Sequence, residues 1–392
     1  MKSWQDLLLH LLSRDWAGLM LAALVGSTLA GVGAAIEGTV GHIASALGVS
    51  IGSLLAVASL RHLMALARVR RAYPPPGRLI DIGGHRIHVL AEGQAHQNRP
   101  AVIWFGGGHS SGLAVHHLHR AFKHRTRSIL IDRPGTGWSD TGPFPRTTAK
   151  EADEVVRALE GAGEVGPFVW VGHSFGGLLA ANVARRRPDL VHTLVLLDPT
   201  PLETIVFGPR LGALRQMRHD AWIGGVAQLF GVNLRQRTEA RSQQHPGHAR
   251  VMKAVQAALG AQVQAARVIE ANAGCHFAQA SIFGELSPEG VAACAWETVV
   301  YDGDLGALPL WLVAPQDEHS QDITELPETQ EADQAEARRM ARFFAATRER
   351  YLAASSRSRR IVAPAGSGHN FIYEEVNWTV QTLEELFADQ PT

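Results

Sequence analysis

The residues best suited to do chemistry follow a short apolar segment near the middle of the chain. Gly172, Ser174 and Gly176 form the pattern Gly-x-Ser-x-Gly, between a strand-like run at residues 167–171 and a helix-like run at residues 178–187. In this context the pattern is typical of a nucleophile elbow. Its glycines remove Cβ atoms where strand and helix pass close together, and its serine is exposed on a strained turn. The sequence therefore predicts that Ser174 is a nucleophile.

A serine hydroxyl needs a base to take its proton, and that base works best when a carboxylate fixes its tautomer. His369 lies in a glycine-rich loop after a predicted strand and is the predicted base. Asp317, after the apolar run at residues 311–314, is the predicted acid. Asp198 ends another apolar run and is the alternative, but Pro199 follows it at once, which suits the start of a new segment.

Acyl transfer also needs hydrogen-bond donors for the developing oxyanion. The backbone N–H of Phe175, directly after the predicted nucleophile, is one expected donor. The second is expected from the glycine run that follows Phe105, where the backbone can approach a ligand closely; the N–H of Gly107 is the predicted group.

Composition limits the classes of function. The 392 residues carry 37 basic and 37 acidic side chains, so no overall positive field favours a nucleic-acid partner. Cys275 and Cys294 are the only cysteines, which is too few for a disulfide framework. The histidines at 109, 116, 117 and 119 lack an identifiable third metal ligand, so we interpret them as a packed or solvated face.

Residues 1–73 are predicted to form a membrane region. Residues 16–36 contain no charged side chain, and residues 38–60 contain only His42 as a titratable group. Each run is long enough to cross a bilayer, and the two together predict a transmembrane helical hairpin. A secretory signal peptide is the alternative, but its apolar core would be shorter and a second run would not follow it. Small residues that would let the helices pack closely recur at four-residue spacing: Ser27, Gly31 and Ala35, and Gly48, Gly52 and Ala56.

Basic residues flank both ends of the predicted hairpin and are missing from its turn. The positive-inside rule therefore predicts a cytoplasmic catalytic domain. Pro74, Pro75 and Pro76 with Gly77 predict a stiff spacer. Removal of residues 1–73 is then expected to leave a soluble, active enzyme.

From residue 78 onwards, strand-like and helix-like stretches alternate, which predicts a mostly parallel sheet with helices on both faces. The alternation stops between residues 199 and 308, where an alanine-rich helical pattern predicts a cap over the strand ends. The predicted hydrolase core is therefore split into residues 74–198 and 309–392.

By these motifs the chain resembles the α/β-hydrolases, and more narrowly the bacterial membrane-anchored members of that superfamily. The resemblance rests on the segments Pro-Pro-Pro-Gly-Arg-Leu-Ile-Asp-Ile-Gly-Gly (74–84), Asp-Arg-Pro-Gly-Thr-Gly-Trp-Ser (132–139) and Gly-His-Ser-Phe-Gly-Gly (172–177). It implies an eight-stranded sheet, a helical cap, no cofactor and a triad of Ser174, Asp317 and His369. It also implies a bacterial inner-membrane location.

Three functions are compatible with this resemblance. The first is a serine carboxylesterase that acts on apolar or lipid-like acyl esters near the membrane. The second is a proline-iminopeptidase-like amide hydrolase, which would need an acidic cap residue for the substrate amine; Glu239, Glu270 and Glu285 are the candidates. The third is a membrane-tethered binding module without turnover.

Overall fold

The structure is a computed structural model that describes residues 4–95, 99–200, 211–234, 253–258, 261–286, 300–316, 342 and 344–388. Asp317 and Glu239 lie outside these residues.

The N-terminal helices are α1 (Trp4–Leu12), α2 (Ala17–Ala34) and α3 (Thr39–Ala72). The strands are β1 (Arg78–Asp81), β2 (Arg86–Glu92), β3 (Val102–Phe105), β4 (Ser128–Ile131), β5 (Phe168–His173), β6 (Val191–Leu197), β7 (Leu310–Ala314) and β8 (Ser358–Val362). The remaining helices are α4 (His116–Phe122), α5 (Thr148–Ala162), α6 (Phe175–Arg186), α7 (Leu211–Gln228), α8 (Ala261–Ile269), α9 (Ala273–Glu285), α10 (Phe371–Glu374) and α11 (Val376–Ala388).

One eight-stranded sheet organises the chain after residue 77, in the order β1-β2-β4-β3-β5-β6-β7-β8. The pairings of β2 with β1 and β4 are antiparallel, and the other five neighbouring pairs are parallel. The predicted α/β-hydrolase fold with a mostly parallel eight-stranded sheet is therefore confirmed. Because β3, β5 and β6 are neighbours, the loops after their carboxyl ends meet at one edge of the sheet.

Both faces of the sheet are covered, which explains why the central strands are apolar throughout. Every residue of β3 and β5 is buried. On one face Val155 and Leu159 of α5 pack with Leu179 of α6, and on the other Phe122 of α4 packs with Leu386 of α11. Continuous apolar runs of this kind mark strands that are buried on both sides.

Helices α2 and α3 form the predicted hairpin and pack at very close range. A Cβ built on Gly26 would lie 2.9 Å from Cα of Gly52, and one built on Gly48 would lie 2.5 Å from N of Ala30. Gly48 and Gly52 were predicted contact positions. On α2, however, the prediction of Ser27, Gly31 and Ala35 is wrong, because the contact face contains Ala22, Gly26 and Gly33 while the predicted three are exposed. Nothing lies within 4 Å of a Cβ built on Gly31.

The N-terminal region is packed against the rest of the protein. Leu9, Leu12 and Ala17 share one apolar cluster with Leu229 and Phe277, which belong to the segment between β6 and β7. The spacer is also fixed in place. The N–H of Gly77 donates to Nε2 of His88 at 3.0 Å, and Nε1–H of Trp138 donates to the carbonyl of Tyr73 at 2.9 Å. The structure thus differs from the expectation of a detachable anchor on a spacer.

Candidate active site

Ser174 lies on a strained turn between β5 and α6. Its backbone has φ 54° and ψ −122°, outside the regions that residues with a Cβ normally adopt. The flanking glycines are required by space: a Cβ on Gly172 would lie 2.3 Å from the carbonyl oxygen of Gly176, and one on Gly176 would lie 2.6 Å from that of Phe105. This is the geometry that the Gly-x-Ser-x-Gly pattern predicts.

The loop after β6 is bound directly to this turn. The N–H of Ser174 donates to the carbonyl of Leu197 at 3.1 Å, and the N–H of Thr200 donates to the carbonyl of Ser174 at 3.0 Å. Pro199 packs so closely that a Cβ on Gly177 would lie 2.8 Å from its Cβ. Asp198, between these contacts, is therefore held next to the elbow.

Asp198 is the carboxylate that contacts His369. Nδ1 of His369 donates to Oδ2 of Asp198 at 2.7 Å. The other carboxylate oxygen accepts hydrogen bonds from Nη2 of Arg348 at 2.8 Å and from Nε at 3.3 Å. Burial alone would raise the pKa of Asp198, but His369 and Arg348 outweigh it and hold the pKa below the usual range. The Asp198 carboxylate is thus ionised, and its hydrogen bond fixes the His369 tautomer with the proton on Nδ1.

The sequence favours Asp317 as the acid of the triad, but Asp317 lies outside the described residues. Asp198 was the alternative at the end of a neighbouring strand. Its backbone φ of 43° is unusual for a residue other than glycine, and strain of this kind is often found at functional sites. Arg348, its buried partner, was missed because it lies in a helical segment without a motif.

His173 holds the His369 loop against the elbow. Its Nε2–H donates to the backbone carbonyl of His369 at 3.0 Å, and the two imidazole rings lie 4.8 Å apart. Burial, together with the nearby His369, lowers the pKa of His173 to about 3. His173 is therefore neutral at physiological pH.

The glycine loop after β3 approaches the elbow. A Cβ on Gly107 would lie 3.0 Å from Cβ of Ser174 and 3.0 Å from Nδ1 of His173, so only glycine fits without displacement. Phe175 is the first residue of α6, where the first N–H groups have no partner within a helix. Both predicted oxyanion donors therefore belong to residues that adjoin Ser174.

Arg133 contacts both of these segments. Its guanidinium donates to the carbonyl of Gly108 and lies 4.7 Å above the ring of Phe175. It is fully buried and pairs with Glu151 at 3.5 Å. Arg133 belongs to the motif at residues 132–139, but no local pattern in the sequence indicates a role for its side chain.

Asp132 fixes the position of the same loops. Its carboxylate accepts hydrogen bonds from Nδ1 of His88 at 2.8 Å, Oγ of Ser111 at 2.5 Å, the N–H of Gly112 at 2.8 Å and the N–H of Trp138 at 3.0 Å. Burial raises its pKa, but these partners outweigh burial and lower it. Asp132 is a structural centre of the site and lies away from the elbow contacts described above.

The histidines at 109, 116, 117 and 119 are buried. Nε2 of His117 bonds to the carbonyl of Ile372 at 2.8 Å, and Nε2 of His119 bonds to Glu92 at 2.8 Å. Burial lowers the pKa of His116 and of His117 to about 4. Among the described residues, no group of three or more histidine, cysteine or acidic side chains is arranged to hold a metal ion.

Glu270 and Glu285, two of the three glutamates that could bind a substrate amine, accept hydrogen bonds within the fold. Oε1 of Glu270 accepts hydrogen bonds from the N–H groups of Ser111 at 2.7 Å and Gly137 at 3.1 Å. Glu285 accepts two hydrogen bonds from Thr148, and both glutamates are buried. These contacts weaken the amide-hydrolase alternative.

Comparisons with known proteins identify the same fold. A family model described as "alpha/beta hydrolase fold" matches residues 100–262. A human (lyso)-N-acylphosphatidylethanolamine lipase is 29% identical over 147 residues, which is 36% of this chain and 41% of the lipase. A vacuolar membrane protein of Saccharomyces cerevisiae is 30% identical over 111 residues, or 26% of this chain and 17% of that protein. The chain thus spans less than half the length of either relative.

The structural comparison covers more of the chain. A thermophilic esterase from Thermogutta terrifontis aligns with a TM-score of 0.51 at 18% sequence identity, covering 79% of this chain and 95% of the esterase. At that identity the likeness concerns the fold alone.

Proposed function

We propose that this chain, a member of the α/β-hydrolase superfamily, is a membrane-anchored serine hydrolase that cleaves carboxylic esters. The proposal rests on one observation, which is that three loops meet at Ser174. Ser174 stands on the strained elbow, Gly107 adjoins it, and the loop of Asp198 is hydrogen-bonded to it and to His369.

The proposed reaction has two acyl-transfer steps. Oγ of Ser174 attacks the ester carbonyl carbon while Nε2 of His369 accepts the hydroxyl proton. The resulting oxyanion is stabilised by the N–H groups of Phe175 and Gly107. The ester C–O bond then breaks, His369 returns the proton to the leaving alcohol, and an acyl-enzyme remains. Water, activated by His369, attacks that acyl group and releases the carboxylic acid.

We assign the acid of the triad to Asp198. The hydrogen bond of 2.7 Å to Nδ1 of His369 supports this role, and the pair with Arg348 keeps the carboxylate ionised. Asp317 remains the alternative that the sequence favoured.

The proposed substrates are apolar or lipid-like acyl esters at a membrane surface. Helix α2 and the first half of α3 are long and apolar enough to cross a bilayer. A lipase and a vacuolar membrane protein are among the relatives, which supports both the substrate class and the location. The basic residues beyond the hairpin support a cytoplasmic catalytic domain at a bacterial inner membrane.

Hydrolysis of p-nitrophenyl esters of rising chain length, beside proline arylamides, tests the reaction. The full-length protein in mild detergent is expected to cleave the esters and to leave the arylamides intact, and Ser174→Ala is expected to remove the activity. Cleavage of the arylamides at a comparable rate would favour the amide hydrolase. Recovery of the full-length protein in the soluble fraction without detergent would contradict the membrane anchor.

A further inference from the structure

A groove opens between α3 and the turn that follows α7, where the N-terminal hairpin meets the segment between β6 and β7. Its volume is about 680 Å³, within the range of small-molecule sites. One wall is α3 and the other is the turn at Phe230 and Gly231. The turn is close to α3, since a Cβ on Gly231 would lie 3.5 Å from Cβ of His62.

The α3 wall changes from apolar to basic along its length. Its lining residues recur at three- and four-residue intervals, so they share one face of the helix: Leu54, Ala58, Arg61, Ala65 and Arg68. Arg61 and Arg68 are seven residues apart, about 10 Å along the axis. The apolar half of the groove therefore lies towards the hairpin turn, and the basic half lies towards the catalytic domain.

The change at Arg61 coincides with the end of the paired part of the hairpin. A Cβ on Gly18, at the start of α2, would lie 2.4 Å from Oγ of Ser59, so Ser59 is level with the first turn of α2. With 18 residues, α2 spans about 27 Å, close to the hydrocarbon thickness of a bilayer. In a membrane, Leu54 and Ala58 would then face acyl chains, and Arg61 and Arg68 would lie at the level of lipid head groups.

Within the part of the chain that the structure describes, the charges of Arg61 and Arg68 are not neutralised. Among the described residues, neither Arg61 nor Arg68 has an ion-pair partner, although Arg70 on the same helix pairs with Asp15 at 2.5 Å. Both side chains are exposed. A phosphate at this level would meet two guanidinium groups, which are well suited to bind phosphate oxygens.

We propose that this groove binds an anionic phospholipid from the bilayer, with its phosphate at Arg61 and Arg68 and its acyl chains along Leu54 and Val57. The proposal rests on the membrane anchoring proposed above and is independent of the ester chemistry. A soluble phosphate would leave the apolar half of the groove unfilled. The lipid would bridge the hairpin and the turn at Phe230.

Lipid binding to the full-length protein in mild detergent tests the proposal. The probes are diether phosphatidylglycerol and diether phosphatidylcholine, which contain no carboxylic ester, and inorganic phosphate. We expect phosphatidylglycerol to bind at least about fivefold more tightly than phosphatidylcholine, and we expect R61Q/R68Q to remove that preference. Arg71→Gln is the matched control, because Arg71 is an exposed arginine of the same helix outside the groove lining.

The remaining outcomes overturn the proposal in distinguishable ways. Equal binding of the two lipids would mean that the groove does not select phosphatidylglycerol. An equal loss of the preference in Arg71→Gln would mean that the positive charge of α3 attracts the lipid without a defined site. Inorganic phosphate that binds as tightly as phosphatidylglycerol would indicate an anion site instead. In each of these cases ester hydrolysis and membrane fractionation, measured on the same samples, would be unaffected. A soluble wild-type protein would remove the membrane anchor and the lipid site together.

Discussion

Oδ2 of Asp198 accepts a hydrogen bond of 2.7 Å from Nδ1 of His369, across 171 positions of sequence. Asp198 follows β6, which lies beside β5, so its carboxylate reaches the His369 loop from the same edge of the sheet as Ser174. Asp198 and Ser174 therefore follow neighbouring strands, and backbone hydrogen bonds join their loops, while His369 follows β8, two strands beyond β6.

The first prediction follows from this contact. Asp198→Asn should lower kcat by about 10⁴, by analogy with the serine proteases, because an amide can hold the imidazole in the wrong tautomer. Asp317→Asn should retain most activity. Both variants are measured on one activated ester, with circular dichroism to show that they are folded. If the Asp317 variant were inactive and the Asp198 variant active, Asp317 would be the acid instead.

The second prediction concerns the oxyanion donors. Gly107→Ala places a methyl group 3.0 Å from Cβ of Ser174 and from Nδ1 of His173, so the glycine loop must move away from the nucleophile. Loss of one oxyanion donor costs about 10² to 10³ in kcat. The ester assay should show this fall while a fluorophosphonate still labels Ser174. An unchanged kcat would mean that the second donor comes from another residue.

Much of this arrangement could be predicted from the sequence, because it depends on local patterns. The glycines around Ser174 and the glycine-rich loop at His369 each mark a turn after a strand, and the structure has both turns there. The choice between Asp198 and Asp317 depends on which strand end lies nearer the base in three dimensions, and no local pattern encodes this. No local pattern indicates Arg348 either, because it lies in a helical segment without a motif and its partner Asp198 is 150 positions away. Arg133 lies in a motif, but its contact with Gly108 joins loops that follow different strands.

The hairpin shows a different limit. Helix α2 contains small residues on several faces, so spacing alone did not reveal which set contacts α3. Gly26 and Gly33 face the partner helix, whereas Gly31 is exposed. The cluster of Leu9 and Leu12 with Phe277 was also not predictable, because it joins segments more than 260 residues apart.

The third prediction concerns the docking of α1. Leu9→Ala should lower the free energy of unfolding by about 2 kcal/mol or more, because Leu9 is buried in the cluster with Leu12 and Phe277. Leu8→Ala is the matched control on the same helix, where the side chain is 38% exposed, and it should cost less than about 1 kcal/mol. Urea unfolding in mild detergent measures both variants. Equal effects would contradict the packing of α1 against the cluster.

The same cluster changes the expectation for a truncated protein. Deletion of residues 1–73 would uncover Leu229 and Phe277, so the remaining chain should aggregate without detergent and should unfold at a lower temperature. A monodisperse, fully stable truncated protein would show that the N-terminal helices contribute little to the fold.

The fourth prediction uses the depressed pKa of His173, about 3 in the folded protein against an ordinary value of 6.5. The unfolded chain therefore binds a proton at His173 more tightly than the folded protein does. Because of this difference, the stabilisation by neutral His173 is fully present above pH 6.5 and is lost as the pH falls towards 3. A difference of one bound proton between the unfolded and folded states changes the free energy of unfolding by about 1.4 kcal/mol per pH unit. His173→Gln should therefore show a smaller fall in the free energy of unfolding between pH 6 and pH 5 than the wild type. Identical slopes would mean that folding does not lower the pKa of His173.

The proposed mechanism requires that Ser174 forms an acyl-enzyme. The most direct measurement is mass spectrometry of the intact full-length protein after brief acid quenching during turnover of an activated ester, followed by peptide mapping. We predict a mass increase of one acyl group, located on the peptide that contains Ser174, and no such increase in Ser174→Ala. Turnover without an acyl group on Ser174, or an acyl group that persists in Ser174→Ala, would rule out this acyl-enzyme.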